Sequence, residues 1–279
     1  MPGIGVVRQW SILTRRNAEV IVRNRLTLAV LVGSPLFVTV MMAVLFRAGA
    51  FDDQRPGAPG PVQIVFWIAF DAFFFGLTYG LLQIVGEMAV LRRERLAGLD
   101  LGAYVLSKFA VLAPMLAAVS AILLGALRAL DRLPARGWGT YGSLFATLMM
   151  ESLAALALGL LASAAVKDAA QATLALPMLC FPQVLFAGAV VPVAAMAAPG
   201  RAISTGMTNR WAFESLGRVL RLDALGARVP ALAAYRGAFV GSPATPWAIL
   251  VACTVVCTLA TVSVLHRRCR PGGSTGRGA

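Results

Sequence analysis

Two carboxylates sit inside long apolar runs, Asp71 in FWIAFDAFFFG and Glu151 in TLMMESLAALA. An ionised side chain in hydrocarbon costs about 3 kcal/mol on insertion scales, so each must face protein or a water-filled cavity. There it can line a translocation path, meet a cationic or polar part of a substrate, or accept a proton. Hydrogen bonding between helices would use the same residues with no transport role. A denser group of charges lies in GEMAVLRRERLAG, where Glu87 closes an apolar stretch and Arg92, Arg93, Glu94 and Arg95 follow before Gly98. This is a charged elbow between two apolar runs. It is either a short helix lying along a membrane and presenting charge to a partner, or an ordinary basic loop.

Other chemistry lacks its residues. The two lysines follow Ser107 and Val166, so no GxxxxGK[ST] phosphate loop exists and the chain does not bind ATP by that route. The one histidine, His266, ends an apolar run, which leaves nothing from which to build a histidine triad or histidine metal site. No cofactor or metal site is expected. Cys180, Cys253 and Cys257 lie in apolar runs and Cys269 in the basic tail, a pattern unlike an extracellular disulfide framework. The arginines are spread over loops and termini, which argues against nucleic-acid binding.

Which elements could hold these residues follows from composition. Of 279 residues, 59% are apolar and only 13% charged, against about a quarter charged in a soluble domain. A soluble enzyme, a disordered chain and a disulfide-rich module are excluded together. Crossing about 30 Å of hydrocarbon takes about 20 apolar residues in a helix. Six such stretches are predicted, at 26–46, 62–86, 103–127, 141–166, 169–193 and 244–265, without the alternation of a barrel strand. The expected fold is an all-α integral membrane bundle of six transmembrane helices. The first span begins too late and runs too long for a signal peptide.

Residues 1–25 precede it, with Val6, Val7, Trp10, Leu13, Val20 and Ile21 broadly on one helical face and Arg8, Arg15 and Arg23 on another. They read as an amphipathic helix on the membrane surface, or as no more than a basic flank. An even number of spans puts both termini on one side. With the N-terminus inside, 14 of the 25 Lys and Arg residues are cytoplasmic, and the remainder include six in the long segment 194–243. The positive-inside rule therefore favours N-in and C-in in the cytoplasmic membrane. Residues 47–61 form a Pro- and Gly-rich loop. The segment 194–243 carries Trp211, Phe213, Leu216, Val219 and Leu220 among Arg210, Glu214, Arg218 and Arg221, the pattern of short interfacial helices, and 267–279 reads as a disordered cytoplasmic tail. Pro35, Pro114, Pro177 and Pro182 are expected to kink their spans. Lys108 is placed to pair with Glu87 or Glu94, and the phenylalanines from Phe66 to Phe75 to pack against lipid, neighbouring helices or a substrate cavity.

Glu87, Leu91, Arg93, Glu94, Arg95, Gly98, Ala103, Tyr104 and Lys108 match in order a pattern found in the permeases of ABCG-type, or White-type, ABC exporters. The chain resembles that family, including bacterial relatives in which a forkhead-associated domain and an ATPase precede the permease. FPQVLFAGAVVPVAAM, residues 181–196, is similar to the end of the family's fifth span, with Gly188 and Pro192 at matching places. TNRWAFESLGR, residues 208–218, is similar to the segment before its sixth span, through Asn209, Phe213 and Glu214. The resemblance implies a permease that works as a homodimer or heterodimer, beneath which ABC nucleotide-binding subunits or domains use ATP and Mg. Residues 87–100 would be the coupling helix, with Glu87, Arg92, Arg93, Glu94 and Arg95 meeting the ATPase, and 1–25 the connecting helix. Substrate would leave past Gly188 and Pro192. The family usually carries its ATPase in the same polypeptide, whereas only about 25 residues precede the first span here, so the ATPase is either a separate chain or part of a longer protein. Residues 194–243 contain no cysteine, so disulfide support of that loop is not expected.

The function expected is export of a hydrophobic or amphipathic substrate, such as a lipid, lipid-linked sugar, drug or natural product, by alternating access. The chain itself would be a transport subunit and not an enzyme. The alternative is an ion-coupled secondary transporter using Asp71 and Glu151, although no inverted repeat is visible.

Overall fold

A computed structural model describes residues 5–23, 25–51, 60–224, 234–235 and 237–269, apart from the side chains of residues 21–22, 25–32 and 34. Its helices are α1 (Val6–Arg23), α2 (Arg25–Leu45), α3 (Gly60–Leu81), α4 (Met88–Leu96), α5 (Leu101–Ala129), α6 (Trp138–Ala165), α7 (Ala169–Leu185), α8 (Ala198–Thr205), α9 (Thr208–Val219) and α10 (Ala244–Arg268). Most of the loop at 47–61, part of 194–243 and the tail beyond Cys269 lie outside the described residues. Four helical stretches, Gly60–Leu96, Leu101–Ala129, Trp138–Ala165 and Ala244–Arg268, are long and apolar enough to cross a membrane.

At the centre α3 packs on α6, and small residues decide how closely. A Cβ on Gly80 would stand 2.7 Å from the Leu156 carbonyl oxygen, and one on Gly76 would collide with the Ser152 backbone. Gly159 meets α3 in the same way, against the carbonyl of Leu77. Backbone-to-backbone approach of this kind is how helices gain dispersion contacts in a solvent as apolar as themselves. Around this pair α5 and α10 lie against α6, α1 lies along α5, and α9 is wedged against α3, α6 and α10. Phe213 of α9 stands edge-on to Phe66 of α3 and to Phe239, with ring centroids 6.3 and 5.3 Å apart.

The expected fifth span is shorter than its apolar run. Helix α7 ends at Leu185 instead of continuing to 193. Phe186 caps it, Gly188 takes a φ of +91°, and the chain then runs irregularly into a 3₁₀ turn at Val193–Ala195. Apolar composition continues past Leu185, but Gly188 in the left-handed region and Pro192 fit a turn and not a helix. At about 1.5 Å per residue, 17 residues give about 26 Å, shorter than a full crossing. The last helix departs the other way, reaching Arg268, so residues 267 and 268 are helical and not tail.

Candidate functional site

The site is built where α3 stops. After Leu81 the chain leaves the α-helix, passes through a 3₁₀ turn at Val85–Glu87 and re-enters helix in α4. The break frees backbone donors, and the Ser163 hydroxyl of α6 accepts both the Ile84 and Val85 N–H groups at 3.0 Å. Leu91 turns inward and is buried. Gly98, with φ of +96°, ends the helix, while the Leu99 N–H reaches the Glu94 carbonyl at 3.1 Å. Asp100 then caps α5, its carboxylate accepting from the Ala103 N–H at 2.7 Å.

Glu87 sits at the focus of this elbow. Its carboxylate accepts from Lys108 Nζ at 2.8 Å and from the Tyr104 hydroxyl at 2.9 Å. Lys108 is almost fully buried, so Glu87 supplies the counter-charge without which it could not remain ionised there. The ammonium also lies 5.4 Å from the Tyr104 ring centroid and 3.4 Å from Asn17 Oδ1, to which it donates. Asn17 in turn donates to the Ser107 hydroxyl at 3.2 Å. Three elements, α1, the elbow and α5, are thereby joined by one buried polar network.

A second set of bonds ties α1 to α4 and to the start of α5. Arg16 pairs with Glu94, and the Asp100 N–H donates to Gln9 Oε1 at 2.9 Å. Arg95 folds back to donate to the Leu99 carbonyl at 2.7 Å. Arg92, Arg93 and Leu96 are exposed. The five charged residues singled out in the sequence thus divide: Glu87, Glu94 and Arg95 hold the elbow together, and Arg92 and Arg93 face outward. Arg268 at the end of α10 donates to the Ala164 and Val166 carbonyls, closing the C-terminus of α6 beside the elbow. Cys269 is buried in the same cluster as Leu91, and that burial pushes its thiol pKa up.

Helix α1 packs Leu13 and Asn17 inward, while Val6, Val7, Trp10 and Val20 remain exposed. Asn17, Gln9, Ser107 and Ser163 were not anticipated. Asn17 carried a signal, since it falls one helical turn after Leu13 on the otherwise apolar face of α1.

The two intramembrane carboxylates are in different surroundings. Asp71 is buried, and no described residue pairs or hydrogen-bonds with its carboxylate. It lines a cavity of about 760 Å³ between α2 and α3, whose other walls include Met41, Met42, Phe46, Trp67, Phe70 and Phe74. Glu151 is fully buried in α6 and accepts from the Thr208 hydroxyl of α9 at 2.9 Å, while its other oxygen has no partner among the described residues. Next to it the Asn209 N–H donates to Gln183 Oε1 at 3.0 Å, joining α9 to α7. Glu151 therefore sits at the helix interface under α9, and Asp71 faces open space. Gly188 and Pro192 line another cavity, of about 470 Å³, at the end of α7.

Residues 8–218 match the model of the ABC-2 type transporter family. This chain belongs to that family. The match begins in α1 and ends in α9, so the elbow, both intramembrane carboxylates and the α7 turn all fall within the ABC-2 region. Over 198 residues, 67% of this chain, it is also 29% identical to the ABC transporter ATP-binding/permease protein Rv1747 of Mycobacterium tuberculosis. The aligned region is only 22% of that relative, so the chain corresponds to about a fifth of the longer protein. As an ABC-2 membrane domain with several apolar spanning helices, the chain is an integral membrane component of a transporter.

Proposed function

We propose that this chain is the permease of an ATP-driven ABC exporter of the ABCG-like kind, with α4 as the helix through which an ATPase moves it. The observation that carries this reading is the division of the elbow. Its inward charges lock α1, α4 and α5 into one body, and its outward charges, Arg92 and Arg93, form a basic face bonded to nothing in the described chain. A partner seated on that face would move all three helices at once. An acidic groove on a nucleotide-binding subunit or domain fits such a face, and the ATP-binding/permease name of the mycobacterial relative supports it. ATP and Mg would be used in that partner.

In this reading α2, α3, α5, α6, α7 and α10 are six spans, both termini are cytoplasmic, and α1 lies at the inner surface of the cytoplasmic membrane with Val6, Val7 and Trp10 toward lipid. Two permeases, identical or different, would enclose a path for a hydrophobic or amphipathic substrate. The cavity beside Asp71 suits its apolar part, and the turn at Gly188 and Pro192 would lie at the exit. Membership of the ABC-2 family favours this reading over ion-coupled transport by Asp71 and Glu151, and so does the enclosure of Glu151 beneath α9.

The test is co-purification of the tagged chain from its native membranes in mild detergent. An ATP-hydrolysing subunit or domain should accompany the wild type, and the Arg92→Glu, Arg93→Glu double variant should reduce substrate-stimulated ATPase activity at least tenfold while remaining in the membrane. Full coupling in the double variant would overturn the assignment of α4.

A further inference from the structure

The cavity at the end of α7 has a charge imbalance that the export reading does not explain. Arg201, Arg210 and Arg218 all line it, and Glu214 is the one carboxylate among its described walls. Glu214 uses both oxygens, accepting from Arg210 Nε at 2.9 Å and from Arg218 Nη2 at 3.0 Å. Three guanidinium groups against one carboxylate leave two positive charges uncompensated. The arginines at the centre are not free surface side chains, since each is only 14% exposed at its side chain. The Arg210 guanidinium lies over the Trp211 ring, 4.6 Å from its centroid, and donates from Nη1 to Ser204 Oγ at 3.3 Å. Arg218 gives Nη1 to the Ser242 carbonyl at 2.9 Å, but its buried Nε–H has no acceptor among the described residues. Arg201 is exposed at the rim and makes no side-chain hydrogen bond with the described residues. Tyr235 adds no counter-charge: its hydroxyl donates to the Ala189 carbonyl, and burial raises its pKa, so it stays a neutral phenol.

We infer that this cavity is a binding site for a phosphate ester, with Arg201, Arg210 and Arg218 as its ligands. Planar guanidinium forks match the oxygens of a phosphoryl group, and two such groups already fixed by Glu214 lose little freedom on binding one. A volume of about 470 Å³ exceeds what a bare ion fills and suits a headgroup carrying a sugar or glycerol. The apolar side chains of Val190 and Val191 beside it are exposed, so an acyl or prenyl chain could lie against them while the phosphate occupies the arginines. The binding site rests on the cavity alone, and its meaning as the place where a leaving substrate's headgroup is held rests on the export reading.

Binding is measured on the full chain purified in an uncharged maltoside detergent, by calorimetric titration with dihexanoyl phosphatidic acid, glycerol 3-phosphate and uncharged dihexanoyl glycerol. The phosphatidic acid should bind, with an affinity that falls at least tenfold in Arg218→Gln and at least threefold in Arg201→Gln. The Arg201 side chain makes no hydrogen bond or ion pair with the described residues, so its variant keeps the test valid if Arg218→Gln does not fold. Binding of glycerol 3-phosphate as tight as that of the lipid would assign the site to a soluble phosphate ester, and weaker binding would assign it to a lipid headgroup. Equal affinity for the uncharged glyceride, or affinity unchanged in Arg201→Gln, would overturn the proposal. No ATPase is needed for this measurement, so loss of the export reading would leave it standing.

Discussion

At the scale of single residues, the chain keeps charge in an apolar setting by pairing it. Lys108 is the clearest case, because its ammonium is almost wholly enclosed and depends on Glu87, whose own side chain is 37% exposed. The two partners should therefore respond unequally. Glu87→Gln strands a buried cation and should destabilise the chain by about 3 kcal/mol, the range found when one member of a buried pair is removed. Lys108→Met leaves a carboxylate that water can reach and should lose less, and the double variant should recover part of the loss in Glu87→Gln. Thermal unfolding in detergent reads the order, and equal shifts in the two single variants would show that the pair is not asymmetrically buried. The pairing of Lys108 with Glu87 was one of two partners legible from the sequence. The rest of the network was not, because Ser107 is an ordinary residue type and Asn17, although out of place on the apolar face of α1, has nothing in its spacing that sets α1 along α5.

Helices and their contacts carry the next set of consequences. The approach of α3 to α6 depends on the absence of side chains at Gly76, Gly80 and Gly159. Gly80→Leu should force the two helices apart and cost about 1–3 kcal/mol, as overpacking does. The expected outcome is a lower unfolding temperature and a smaller yield of monodisperse protein. Gly125→Leu, in α5 with open space where its Cβ would stand, should have little effect and serves as the control. The starts of these helices were readable to within a few residues, since apolar length and bounding Pro, Gly and Asp residues set them. The end of α7 was not readable. Hydropathy reports burial in lipid or protein, and the residues after Leu185 are apolar without being helical. The short helices after it were expected from their amphipathic spacing. The position of α9, wedged against α3, α6 and α10, arises from tertiary contacts such as Phe213 with Phe66, which no local pattern encodes.

Seen as a whole molecule, the chain leaves large apolar side chains uncovered on α2 and α7. Phe37, Met41, Val44, Leu174, Met178 and Phe181 are all more than half exposed. Lipid can cover some of this surface, and the proposed pairing of two permeases would cover the rest. In a variant with Cys180 replaced by Ser, Met178→Cys should form a disulfide-linked dimer under mild oxidation in membranes, read as a doubled mass on a non-reducing gel. Absence of cross-linking at Met178→Cys and at Phe37→Cys alike would place α2 and α7 against lipid. The link between α3 and α4 also has a mechanical meaning. Ser163 of α6 holds it by two hydrogen bonds, so α4 and the α3–α6 pair are joined as two arms of unequal length. At about 1.5 Å per residue, α4 extends about 14 Å on one side and α3 about 33 Å on the other. A displacement applied at the short arm is multiplied about twofold at the far end of the long one. Because glycines press α3 against α6 and Ser163 itself stands on α6, the two helices would turn together with the elbow under the proposed drive, so a small push at α4 would be delivered as a larger sweep at the far end of the pair.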